Sequence, residues 1–180
     1  MPKKVQVMDI SILLVWLGVP GKDTCFIQGK TWVQSYVESL IKHEAEKGTT
    51  LVLPLATLIE AGNHIAQIKA PHTQKRYPLA QALADILKKA VDEEPPWLGL
   101  ERPVLCEDDE LKKLAEEWPR LAAQANTKKD KGGLSMGEMT IKRVAERYAK
   151  MGYEVEILTG DEALKAYEPV PPKPPRRRNR

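Results

Sequence analysis

Cysteine is nearly absent. The chain has two in 180 residues, Cys25 and Cys106, at no metal-ligand spacing. A cysteine-held metal cluster and a disulfide framework are therefore excluded, and two reduced, buried thiols are expected. Long apolar runs are missing as well. The start, MPKKVQVMDISILLVWLG, sets bases ahead of apolar residues in the manner of a secretory leader, but Asp9 interrupts it. The uninterrupted run 12–18 is too short to span a bilayer. A soluble, cytoplasmic protein with no membrane partner is expected. Neither a dinucleotide-binding glycine fingerprint nor a P-loop occurs.

Charge of one sign is also scarce. There are 28 Lys+Arg against 25 Asp+Glu, a net of +3. A uniformly basic nucleic-acid coat is excluded, and so is a strongly acidic disordered chain. The excess is local: residues 169–180 hold five bases, five prolines and no acid, so residues 1–168 carry a net of −2. The composition divides the chain into one globular domain, 1–168, and a disordered Pro/Arg-rich tail, 169–180.

What is present is enough apolar residue, 42%, to build a core of that size. Lys4–Met8 reads as a first strand ending at Asp9. Ser11, as an N-cap, and Gly18 frame a short helix. Helical spacing over 31–47 ends at Gly48, and a buried strand at 51–53 ends at Pro54. Further helices are expected over 56–69, 79–91, 108–125, 135–151 and 161–167. Segment 92–103 reads as a loop, 103–106 as a third strand and Glu154–Leu158 as a fourth. Strands alternating with helices give an α/β fold with a mainly parallel sheet and helices on both faces.

Ligands of such sheets bind beyond the carboxyl ends of the strands. Asp9 follows the first strand, Glu60 lies shortly after the second, and Asp161 follows the fourth. Glu138 opens the helix that leads into the fourth strand. Four convergent carboxylates repel one another unless a cation joins them, and hard oxygen ligands suit Mg²⁺ or Mn²⁺. The structural reading stands beside this one. Thr57-x-x-Glu60, Ser135-x-x-Glu138 and Thr159-x-x-Glu162 are capping-box patterns, and Asp161 suits a helix N-terminus. Asp9, set between Met8 and Ile10, is costly to bury without a compensating partner. His64 stands one turn after Glu60, where it supports the site or is simply a helix histidine. Arg143 faces phosphate or solvent. The four tryptophans are scattered and form no stacking stripe. Lys128, Lys129 and Lys131 and the tail arginines are the places for phosphate attraction, so deletion of 169–180 is expected to weaken binding of any phosphate polyanion.

ValMetAspIleSer at 7–11, ProLeuAlaThrLeuIleGluAla at 54–61, LeuSerMetGlyGluMetThrIle at 134–141 and IleLeuThrGlyAsp at 157–161 together resemble a PIN domain in order, spacing and context. The resemblance spans 5–167. It implies a three-layer α/β/α sandwich with a mainly parallel central sheet and an acidic Mg²⁺/Mn²⁺ site. It also implies a metal-dependent endoribonuclease of the kind that forms the toxin half of bacterial toxin–antitoxin pairs. Asp9, Glu60, Glu138 and Asp161 would then be the catalytic, metal-binding quartet, with Ser11 and Thr159 as accompanying hydroxyls. RNA would be the substrate and an antitoxin protein a partner, and homodimers are common among such domains. Glu138 stands where the family more often has Asp. That departure keeps open the alternative of a catalytically weak PIN-like module that binds RNA or protein. A haloacid-dehalogenase reading wants a second Asp where Ser11 stands, and a von Willebrand-type adhesion site is broken at Leu13.

Overall fold

The computed structural model describes residues 3–101, 103–124 and 133–171. Lys128, Lys129, Lys131 and most of the Pro/Arg-rich tail lie outside them.

The chain begins with β1 (Lys4–Met8), whose valines at 5 and 7 alternate with Gln6 and Met8 across the two faces of the strand. Helix α1 (Ile10–Leu17) follows at once. It stops where Gly18 takes a left-handed φ of 68° and returns its N–H to Leu14 and Val15. A hairpin comes next, β2 (Thr24–Ile27) and β3 (Lys30–Val33), turning through Gln28 and Gly29, both at positive φ. Two such residues suit a tight turn between antiparallel strands. The remaining order is α2 (Gln34–Glu46), β4 (Thr50–Pro54), α3 (Leu55–Ala66), α4 (Arg76–Val91), β5 (Trp97–Glu101), α5 (Pro103–Cys106), α6 (Asp108–Ala123), α7 (Met136–Lys150), β6 (Glu154–Leu158) and α8 (Glu162–Lys165).

Four strands form one parallel sheet in the order β5-β4-β1-β6. Strand alternation divides the apolar residues between two cores. Met8, Leu51, Leu53, Trp97 and Leu158 pack on one face with α1 to α4. Val5, Val7, Val52, Val155 and Ile157 pack on the other with Val104, Ile141, Val144 and Leu164. Helices thus flank the sheet on both sides, an arrangement compatible with three layers, α/β/α. Among the described residues, no helix is long and apolar enough to cross a membrane.

Several elements differ from expectation. The third strand is Trp97–Glu101, inside the segment expected to be a loop, whereas Pro103–Cys106 is a helical turn. Proline and glycine dominate the local signal there, but the strand is held by pairing with β4, Leu51 opposite Trp97. Trp97 is 4% exposed, with its ring centroid 6.0 Å from that of Trp16. Proline at the first position of α5 loses no helical hydrogen bond, because that N–H would be an orphan anyway. Likewise the helix expected from Thr31 begins at Gln34, since residues 30–33 are taken up by the hairpin.

The parallel register brings three strand ends together. Met8 pairs with Leu158 and Val7 with Val52, so Asp9, Pro54 and Thr159 emerge side by side along one edge of the sheet.

Candidate active site

Asp9 anchors this edge. It caps α1, taking the role expected of Ser11, and is 2% exposed. Its Oδ2 accepts hydrogen bonds from Ser11 Oγ at 2.6 Å, Thr159 Oγ1 at 2.7 Å and Ser11 N at 3.3 Å. Each hydroxyl is oriented from behind. Gly160 N donates to Ser11 Oγ at 2.8 Å, and Asp161 N donates to Thr159 Oγ1 at 2.9 Å. A hydroxyl that accepts from an amide has one proton left to give, and both give it to Asp9. One carboxylate oxygen is thereby saturated. The other, Oδ1, is buried and finds no hydrogen-bond partner among the described residues.

Asp9 opens into a pocket of about 210 Å³ whose wall also holds Thr57, Glu60, Gly137 and Glu138. Thr57 lies inside α3, where it serves as a tether and not as an N-cap: its Oγ1 donates to Met8 O at 2.9 Å and ties α3 to the end of β1. That tether sets Glu60, one turn on, against the pocket. Burial raises the Glu60 carboxyl above the usual carboxylate range, and the charges of Asp9 and Glu138 raise it further. Burial and the neighbouring carboxylates therefore both disfavour the ionised form of Glu60. Gly137 is the other half of this placement, because Glu60 Oε1 fills the space a side chain at 137 would take.

Glu138 has two roles. It lines the pocket and closes a true capping box, with Ser135 N donating to Glu138 Oε2 at 2.7 Å and Glu138 N to Ser135 Oγ at 3.2 Å. Asp161 is not among the residues that line this pocket. It caps α8, its Oδ1 accepting from Ala163 N at 2.7 Å and Leu164 N at 3.3 Å, and it lines a neighbouring cavity. Its link to Asp9 runs through the Thr159 hydroxyl.

The structure thus gathers Asp9, Glu60 and Glu138 around one pocket, with Ser11 and Thr159 behind Asp9. His64 lies away from it, lining a separate cleft with His72. Arg143, expected to face phosphate or solvent, is 7% exposed and held between Glu110 Oε2 at 2.6 Å and Glu117 Oε1 at 3.0 Å. Its helix face is covered by α6, whose acidic residues supply the partners. The cysteines differ as well, both being free but Cys106 exposed and Cys25 only half-buried. Thr57, Gly137 and Gly160 are the residues whose importance the sequence concealed. Thr57 sits inside a capping pattern, and a glycine's close neighbour is invisible until the chain folds.

Among the described residues, no three Asp, Glu, His or Cys side chains converge tightly enough to hold an ion by themselves. Magnesium does not demand that, since it keeps several waters and takes one or two carboxylates plus substrate phosphate oxygens. The unpartnered, buried Asp9 Oδ1 and the charge-strained Glu60 carboxylate fit such an ion, with Glu138 on the same wall. No protein-family model matches this chain, and no curated protein matches it.

Proposed function

We propose that this chain is a PIN-like, divalent-cation-dependent endoribonuclease, with the pocket at Asp9 as its active site. The observation that carries the reading is the divided state of Asp9, a residue that lines a pocket with two further acids: one oxygen accepts three hydrogen bonds, and the other is buried and unpartnered among the described residues. A carboxylate buried in that state is costly without a compensating charge. Asp9 and Glu60 would hold Mg²⁺ or Mn²⁺. Such an ion lowers the pKa of bound water and neutralises charge that develops on a phosphodiester during hydrolysis.

The chain's own part is positional. Ser11 and Thr159 fix the Asp9 carboxylate in one rotamer, Thr57 fixes the start of α3 against β1, and Gly137 admits Glu60 beside α7. Glu138 keeps its carboxylate at the rim through the capping box. Asp161 acts through Thr159, as the amide that orients the hydroxyl on Asp9. The order of the motifs along the chain and the parallel sheet with helices on both faces agree with a PIN-like architecture. An antitoxin partner and a homodimer are implied by that resemblance alone.

The second reading, a catalytically weak RNA- or protein-binding module, is favoured by one observation. Glu138 and Asp161 both spend a carboxylate oxygen on helix caps. Cleavage of single-stranded RNA in Mg²⁺ or Mn²⁺, with Asp9→Asn alongside, separates the two. Wild type is expected to cleave and the variant to lose activity while remaining folded. A folded wild type that cleaves neither RNA nor DNA with either cation removes the enzyme reading. A variant that cleaves as well as wild type removes the assignment of Asp9.

A further inference from the structure

The β2–β3 hairpin lays one face over the end of β6. Cys25 and Trp32 are partners across the antiparallel ladder, and with Ile27 they pack on the larger core. Phe26 points the other way and is 69% exposed. A Cβ on Gly160 would stand 3.3 Å from Cys25 Cβ and 3.4 Å from Ser11 Oγ, so the hairpin closes tightly onto the turn between β6 and α8. Beyond that contact the two parts separate. They leave a cavity of about 380 Å³ between Ile27, Gln28 and Trp32 on one side and Thr159, Gly160 and Asp161 on the other. Thr159 is a shared wall, lining this cavity while its hydroxyl holds Asp9 Oδ2.

We propose that this cavity receives one unpaired nucleobase of the strand whose phosphodiester lies at Asp9. The inference rests on the nuclease reading and adds a base subsite to it. Trp32 lines the cavity, and its ring meets that of Tyr36 in a T-shaped contact at a centroid distance of 4.9 Å and an angle of 62°, which braces it. Stacking on such a ring tolerates any base, because every base has a π-face. Among the described residues the rest of the wall carries Glu156, Asp161, Glu162 and Lys165, with Glu156 ion-paired to Lys4 at 2.8 Å and to Lys165 at 3.5 Å. Carboxylate oxygens accept hydrogen bonds and suit a neutral ring that carries amino and imino hydrogens. The Asp9 pocket and this cavity therefore sort a nucleotide by chemistry, with the phosphodiester at the cation and the base under the hairpin.

The test measures binding, so that it does not depend on cleavage. The full-length wild-type chain, with divalent cations chelated, is titrated by fluorescence anisotropy against a labelled single-stranded RNA, the same RNA with abasic positions, and the matching DNA. Free nucleosides are added as competitors. Removing the base is expected to weaken binding about tenfold or more, in line with the loss of one stacked base. Trp32→Ala should weaken the intact strand to the same degree and the abasic strand not at all, while Trp32→Phe should bind like wild type. Equal binding of intact and abasic strands overturns the proposal without reference to any variant. So does a Trp32→Ala loss that is the same for both strands. RNA bound in preference to DNA assigns the base to RNA, and equal binding assigns it to any single strand. Nucleosides that compete while neither strand binds overturn the placement of a strand. Base-dependent binding by a protein that cleaves nothing in Mg²⁺ or Mn²⁺ removes the nuclease reading and leaves the subsite. Cleavage with no dependence on the base does the reverse.

Discussion

Glu60 Oε1 rests where a Cβ on Gly137 would stand. The two residues belong to different helices, α3 and α7, and the missing side chain allows a carboxylate of one to sit directly on the backbone of the other. This contact sets where the second acid of the pocket points.

Gly137→Ala should leave the fold intact and impair the site. Within a helix, alanine is favoured over glycine by about 0.5–1 kcal/mol. The clash falls on the far end of a flexible glutamate, which can swing aside. The melting temperature is expected to hold or rise, while RNA cleavage falls on the order of 100-fold, as for a reacting group displaced by about an ångström. Unchanged cleavage would show that the carboxylate position does not matter.

Glu60→Gln should stabilise the cation-free protein at neutral pH. Burial, then Asp9, then Glu138 raise this carboxyl above its ordinary value of 4.5, so the folded state holds the proton more tightly than the unfolded one. Stability linked to Glu60 is present below that ordinary value and is lost as pH rises through the raised one. The variant's advantage should therefore appear near pH 7 and vanish in acid, as read by denaturant unfolding at several pH values. Mn²⁺ should stabilise wild type more than the variant, since binding to the native state alone adds stability.

Thr159→Val keeps the shape and removes the hydroxyl that joins Asp9 to Asp161 N. The amide and the carboxylate oxygen each lose a partner in a buried place. A destabilisation of about 1–3 kcal/mol is expected from the denaturation midpoint. A neutral result would mean that the hydroxyl does not hold the strand ends together.

Glu110 gives the opposite pH dependence to Glu60. Hydrogen bonds from Lys113 and Arg143 lower its carboxyl from 4.5 to about 2. Its contribution is complete above 4.5 and disappears as pH falls toward 2. Glu110→Gln should lower stability at pH 7 and flatten the loss of stability over that acid range, in a pH series of thermal melts.

Strand β6 lies at the edge of the sheet, and its free side is filled by side chains. Ile157 N donates to Glu168 Oε2 at 2.7 Å, and Lys165 Nζ donates to Ile157 O at 3.0 Å. Open strand edges invite pairing with other chains. The double substitution Lys165→Ala, Glu168→Ala should shift the protein toward self-association in size-exclusion chromatography, while the wild type elutes unchanged across the same concentrations.

Strands β1, β4 and β6 were legible because valine, isoleucine and leucine are concentrated there between clear stops. The capping box at Ser135 and Glu138 was legible for the same local reason. Strand β5 was not, because Pro95, Pro96 and Gly99 speak for a turn and only the ladder with β4 makes the segment a strand. The hairpin was hidden in a region whose apolar residues also satisfy helical spacing. Arg143 looked solvent-facing on its own helix until α6 supplied Glu110 and Glu117.

By itself the sequence determined which residues could be acids at strand ends, because alternation, glycine stops and prolines are properties of neighbours along the chain. Only the tertiary structure decided that Asp9, Glu60 and Glu138 share a pocket while Asp161 caps a helix beside it. That decision depends on sheet register, on the Thr57 tether and on the space left by Gly137. Each is a contact between distant segments, and no local pattern of residues encodes the distance at which two such segments come to rest.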